Sequence, residues 1–181
     1  MENQKALELL DFWQKAGPSA WWRKNTEFDL KIRDRFVDLI DPAANRELDY
    51  WRNEPKTCLA LVLILDQFSR NLFRGSKKAF AQDLYALELA KHGVEKGFDD
   101  NQPVEIFDFL YMPFMHSEKL EDQNTCVDLF RARANDASLK AAIEHQDIIA
   151  RFGRFPHRNT ILGRQTTDEE QLFLDSGGFS G

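Results

Sequence analysis

Apolar residues return every three to four positions almost from end to end of the chain, which is the helical period, and no stretch alternates as a half-buried strand would. The punctuation between these runs is that of helix caps. Asn3 can cap a first helix carrying Leu7, Leu10 and Trp13, which stops at Gly17-Pro18. Thr26 with Asp29 three residues on approximates a capping box for a helix bearing Phe28, Ile32, Phe36 and Ile40. Asp41-Pro42 reads as an N-cap followed by a first-turn proline, opening a short helix through Leu48 and Trp51. Pro55 opens another that runs through Leu59 and Leu65 and ends at Gly75.

Phe80, Leu84, Leu87 and Val94 then share one side of a further helix, and Pro103 introduces an aromatic stretch that Pro113 should kink or end. Val127 and Phe130 mark a helix after Gln123, Asn135-Asp136 caps one that reaches Gly153, and Thr167 with Glu170 forms a capping box before Leu172-Phe173. The pattern predicts an all-α chain of about eight helices in antiparallel hairpins, either a compact bundle or a curved tetratricopeptide-like stack. No repeat of about 34 residues separates the two by itself. One domain over residues 1–175 is expected, with 176–181 a flexible tail.

Composition narrows the class. The 181 residues are 43% hydrophobic and include 15 Phe and 4 Trp, enough for one substantial core. A net charge of −6 argues against a broad nucleic-acid or membrane footprint. The longest apolar run, residues 58–65, is far short of the ~18 that suggest a membrane span. No basic stretch followed by an apolar one opens the chain, so no signal peptide is expected and a cytoplasmic protein is. Cys58 and Cys126 both sit in apolar helical patterns, where a free thiol behaves as a small hydrophobe.

Three polar knots stand out. Residues 57–65 are apolar on every face, and then Asp66, Gln67, Arg70, Asn71 and Arg74 fall within roughly 140° of one another at about 100° per residue. Such a stripe is either the emergence of a helix into water, with Asp66 and Arg70 an i, i+4 pair, or the wall of a cleft in which two arginines grip a carboxylate or phosphate. His145 lies in the middle of an apolar face formed by Ala141, Ala142, Ile148, Ile149 and Phe152, as a core histidine or as a partly buried acid, base or ligand. After it, residues 145–164 carry a formal charge of +3 from Arg151, Arg154, Arg158 and Arg164 against Asp147, with His157 and Asn159 among them. That loop either binds an anion or neutralises nearby acids. His116-Ser117-Glu118 follows a densely apolar stretch, as a cavity lining or an ordinary helix cap at Ser117. No zinc, nucleophile-elbow or phosphate-loop motif is present, the spacings of these acids and histidines carry little metal specificity, and no cofactor is indicated.

The stretches Leu59-Ala60-Leu61, Leu65-Asp66-Gln67-Phe68-Ser69-Arg70-Asn71-Leu72-Phe73-Arg74-Gly75, Pro113-Phe114-Met115-His116-Ser117-Glu118 and Arg151-Phe152-Gly153-Arg154-Phe155-Pro156-His157-Arg158-Asn159 together resemble the domain-of-unknown-function family numbered 924. The likeness runs from Trp22 to Leu174 and implies an all-helical, tetratricopeptide-like superhelical fold, with no reaction attached. Ser69 stands where proline is frequent, which lets the helix continue, and the residues before Phe109 lack an arginine often found there.

Taken together, these residues are expected to converge on a concave surface. His116, Glu118, His145 and Asp66 are the candidates for acid or base work. Gln67, Arg70, Asn71, Arg74, Arg151, Arg154, His157, Arg158 and Asn159 are the candidates for holding a small anionic ligand, phosphorylated ones included. The reading from another class is a peptide- or protein-binding scaffold whose arginines clamp an acidic segment. Whether the chain is an enzyme, and its oligomeric state, stay open.

Overall fold

The computed structural model describes residues 3–100 and 102–180, which form helices and turns with no strand among them. They gather into two compact units, Met1–Arg74 with Lys78–Pro113, and Gly75–Lys77 with Phe114–Gly181.

In the first unit the order is α1 (Gln4–Ala16), α2 (Pro18–Trp21), α3 (Thr26–Phe36), α4 (Ile40–Ala44), α5 (Pro55–Leu63), α6 (Ser69–Leu72), α7 (Asp83–Glu95) and α8 (Val104–Phe107). The helix that is apolar on every face is the central one: α5 buries each residue from Thr57 to Leu63 and packs against α1 and α7. Trp13 of α1 is fully buried among Phe28, Phe68 and Phe109, with ring centroids 5.3–5.7 Å apart. Cys58 is buried and unbridged here, and burial pushes its thiol up to about 12, which leaves it unreactive.

The second unit follows with α9 (Met112–Met115), whose last two residues belong to it, then α10 (Leu120–Ala132), α11 (Asp136–Phe152), α12 (Asn159–Leu162) and α13 (Asp168–Asp175). Three residues join α10 to α11, so the pair is an antiparallel hairpin. Ile148, Ile149 and Phe155 form a core against which Phe152, Phe173 and Phe179 pack. Asn135 accepts the Ser138 N–H and Gly153 closes α11 in the left-handed conformation, both where the sequence places them. The capping box of Thr167 and Glu170 is formed as expected. Cys126 is also buried, free and pushed up to about 12 by burial.

Several local expectations are corrected. There are more helical segments than about eight, because α2, α6, α8, α9 and α12 are single turns of four residues, too short to show a period. Pro42 lies inside α4, which starts at Ile40 and ends before Arg46, a non-glycine residue at φ 64°. Leu84 is 77% exposed, since α7 begins only at Asp83 and presents Tyr85, Ala86 and Leu89 to the core. Ser117 is not the N-cap of α10, a position that Lys119 takes; its hydroxyl accepts the Lys119 N–H at 3.2 Å and donates to Asp122 at 2.6 Å.

At α3 the cap sits one residue earlier than Thr26: Asn25 Oδ1 accepts the Phe28 N–H at 3.0 Å. Asn25→Ala is therefore expected to cost about 1 kcal/mol, read as a lower urea midpoint at unchanged slope. Thr26→Ala, at the position the sequence pattern favours, should cost a few tenths at most.

Candidate functional site

The polar stripe after α5 belongs to the first unit, and its residues are spoken for within it. A π-turn over Ile64–Phe68 inserts one residue's worth of rotation between α5 and α6, so the stripe does not run straight out of the buried helix. Asp66 is wholly buried and Gln67 nearly so, with Gln67 Nε2 donating to Asp66 Oδ2 at 2.7 Å. Arg70 lies 3.1 Å from Asp66 Oδ1 and forks onto Asp83 at 2.9 and 3.0 Å, while its NH1 also donates to the Asp66 carbonyl at 3.0 Å. Asn71 and Arg74 both hold Asp29, at 2.7–3.1 Å. The anions that these arginines grip are carboxylates of this chain, on α3 and α7.

The second unit brings together the other candidates. Glu118 accepts the Phe155 N–H at 2.8 Å and both arms of the Arg164 fork at 2.7 and 3.0 Å. Burial works against its charge, but Arg164 and that N–H outweigh it and hold the carboxyl below the usual range. Arg164 also donates to the Phe155 carbonyl and to Asn159 Oδ1, which ties the loop after α11 to the connection before α10. Arg154 spends its fork on Glu170 at 2.6 and 2.8 Å, and Arg151, more exposed, pairs with Glu169.

Three histidines and Arg158 remain. His145 is buried, and its Nδ1 lies 2.8 Å from the Ala141 carbonyl. A carbonyl only accepts, so Nδ1 carries the proton and Nε2 of the neutral ring keeps its lone pair. Burial lowers His145 to about 4, helped by His116 and Arg158 and opposed by that carbonyl. Burial lowers His157 to about 3, and Arg158, His145 and His116 push the same way. His157 Nδ1 is buried with no hydrogen-bond partner. Arg158 is buried with its guanidinium 4.5 Å from the centre of the Phe155 ring. The cluster of His116, His145, His157 and Arg158 thus holds two neutral rings in a positive field.

Phe179, from the segment expected to be a loose tail, lays its ring against both histidines, 4.5 Å from His145 and 5.1 Å from His157, edge to face; Gly181 lies outside the described residues. Beside the cluster, along α11, an open cavity of about 480 Å³ is lined by Ile148, Phe152, Phe173 and Phe179, together with Glu144, Asp147 and Arg151. No group of acids, histidines and cysteines placed to hold a metal ion occurs among the described residues.

Sequence reasoning did not single out Asp29, Asp83, Glu170 or Phe179 for a site, and it noted Arg164 only as a charge. The acids lie 13 to 45 residues from the Arg70, Arg74 and Arg154 that they pair with, and no local pattern signals such distances.

The fold is an all-helical one whose polar cluster matches none of the common catalytic motifs. The profile of the family described as bacterial protein of unknown function (DUF924) matches residues 9–178, and the chain belongs to that family. A solved structure of a protein of unknown function from Agrobacterium tumefaciens, ATU0120, is 44% identical, with a TM-score of 0.92 over 95% of this chain and 97% of that one. No curated protein matches the chain. No helix of the described residues is long and apolar enough to cross a membrane.

Proposed function

We propose that the second unit binds a small ligand with an anionic group at the cluster of His116, His145, His157 and Arg158. The observation that carries this reading is the pairing of an unsatisfied, buried His157 Nδ1 with the charge of Arg158, which acts on both His145 and His157. A neutral imidazole offers a donor to an anion's oxygen and a lone pair to a transferable proton, so the same cluster has acid–base capacity at neutral pH. The neighbouring cavity of about 480 Å³ is in the size range of small-molecule sites, which supports a small ligand over an extended acidic peptide. Arg154 and Arg164 serve this site as positioning residues, because each holds a loop residue's partner rather than open space. Arg70 and Arg74, already forked onto Asp83 and Asp29, lie outside the reading. The α10–α11 hairpin supports a tetratricopeptide-like stack, and two buried free thiols fit a cytoplasmic setting.

The test is a thermal-shift screen of phosphorylated metabolites, dicarboxylates and acidic peptides on wild type, His157→Ala and Arg158→Lys. A ligand at 100 times its dissociation constant adds about 2.7 kcal/mol, a rise of several degrees. The reading holds if a small anion raises wild type and neither variant. It fails if no small anion raises wild type, and a response to acidic peptides alone transfers the site to the scaffold reading.

A further inference from the structure

Phe179 touches two things at once. Its ring meets His145 and His157 edge to face on one side, and it lines the cavity beside α11 on the other. It is therefore the partition between the aromatic cavity and the histidine cluster, and it belongs to no helix. Its seat is built by the backbone before it. The Gly178 N–H donates to the Phe173 carbonyl at 3.0 Å, and a Cβ on Gly178 would meet that carbonyl oxygen and the Phe173 ring at 2.6 Å. Gly177 turns the chain there at φ 84°. A tight glycine clasp thus presents a single phenyl ring to a pair of neutral imidazoles.

We propose that Phe179 is a displaceable stopper, the chain's own occupant of an aromatic subsite, and that the ligand is an aryl anion whose ring takes its place. This rests on the anionic-ligand reading above and gives it a substrate class. The fit is chemical on each side. Phe179 is received by His145 and His157, whose rings in turn pack on Phe155, and by the core that Phe155 shares with Ile148 and Ile149. Beyond the Phe179 ring the cavity continues over Ile148, Phe152 and Phe173, so an aryl group larger than a phenyl ring is accommodated. The anionic group then lies on the histidine and Arg158 side, since Glu144 and Asp147 line the cavity and repel it there, while Arg151 beside them is already paired with Glu169.

A self-occupied site has its apparent affinity reduced by the fraction of time it stands open. Phe179→Ala removes the occupant. Gly178→Ala keeps the ring but forces it off its seat, so it tests the same idea without deleting the aromatic group. The probes are phenyl phosphate, inorganic phosphate and phenol, titrated by calorimetry into wild type and both variants, with circular dichroism to confirm that each is folded. The expected result is phenyl phosphate binding at least tenfold tighter to both variants than to wild type, with inorganic phosphate unchanged. Equal binding of phenyl phosphate to all three proteins overturns the stopper and leaves the anion site standing. Phenol binding as tightly as phenyl phosphate overturns the aryl-anion class. Failure of both phosphates to bind any of the three overturns the anion site and the stopper together.

Discussion

Glu170→Ala lowers the stability of the protein by about 2 to 3 kcal/mol, the cost of leaving the donors that its buried carboxylate serves without their acceptor. Glu170 is 2% exposed, and its carboxylate is the hub of the second unit's loops. It takes the Arg154 fork at 2.6 and 2.8 Å, the Asn159 amide at 3.1 Å and the Thr167 N–H at 2.8 Å. Arg154 holds it down to about 2, with the Thr167 N–H and Asn159 adding to the effect against burial. Alanine leaves all three donors short of an acceptor and breaks the capping box of α13 as well. The control is next door: Glu169 pairs with Arg151 in the open, so Glu169→Ala should cost under about 1 kcal/mol. Urea unfolding of the two variants decides the matter. Similar small losses in both would show that the Glu170 network does not hold these loops.

The second large effect is a loss of stability on acidification above the range where carboxylates titrate. His145 and His157 are lowered from 6.5 to about 4 and about 3, chiefly by burial. Between these values and 6.5 the unfolded chain binds protons that the folded chain refuses, so stability is full above about pH 7 and falls as the pH drops. By pH 5 the loss is about 2 kcal/mol for His145 and somewhat less for the more exposed His157. The groups that set this field are His116, Arg158 and Glu118, together with the Ala141 carbonyl on His145. Glu170 and Glu118, both lowered, act in the same direction but only below about pH 4.5. Urea midpoints from pH 7.5 to 5 should therefore slope downwards in wild type and flatten in His145→Gln and in His157→Gln. An unaltered slope in both variants would remove the neutral pair from the explanation.

What the sequence made legible was local. Thr167 with Glu170, Asn135 before α11, Pro55 at the head of α5 and the uniformly apolar face of α5 are all signals contained within one or two helical turns, and each is realised. Ser117 and Pro42 carry the same kind of signal and mislead, because a stronger side-chain bond in one case and an earlier helix start in the other decide the geometry. The second unit's cluster was half legible: His116, Glu118, His145, His157 and Arg158 were readable as polar residues where a core should be. The acids that claim Arg70, Arg74 and Arg154 were not, since an ion pair between distant segments leaves no periodic trace. Phe179 was invisible for a different reason, as a lone aromatic among glycines and serines looks like a tail until its neighbours are seen.

The π-turn at Ile64–Phe68 ties the length of one segment to the chemistry of two others. An α-helix through the same point would carry Arg70 and Arg74 about 100° around the axis, away from Asp83 on α7 and Asp29 on α3. A chain one residue shorter there would lose the Arg70–Asp83 and Arg74–Asp29 pairs together. Segment length and the acids at 29 and 83 are therefore coupled: an insertion or deletion in this helix takes both arginines away from their acids at once.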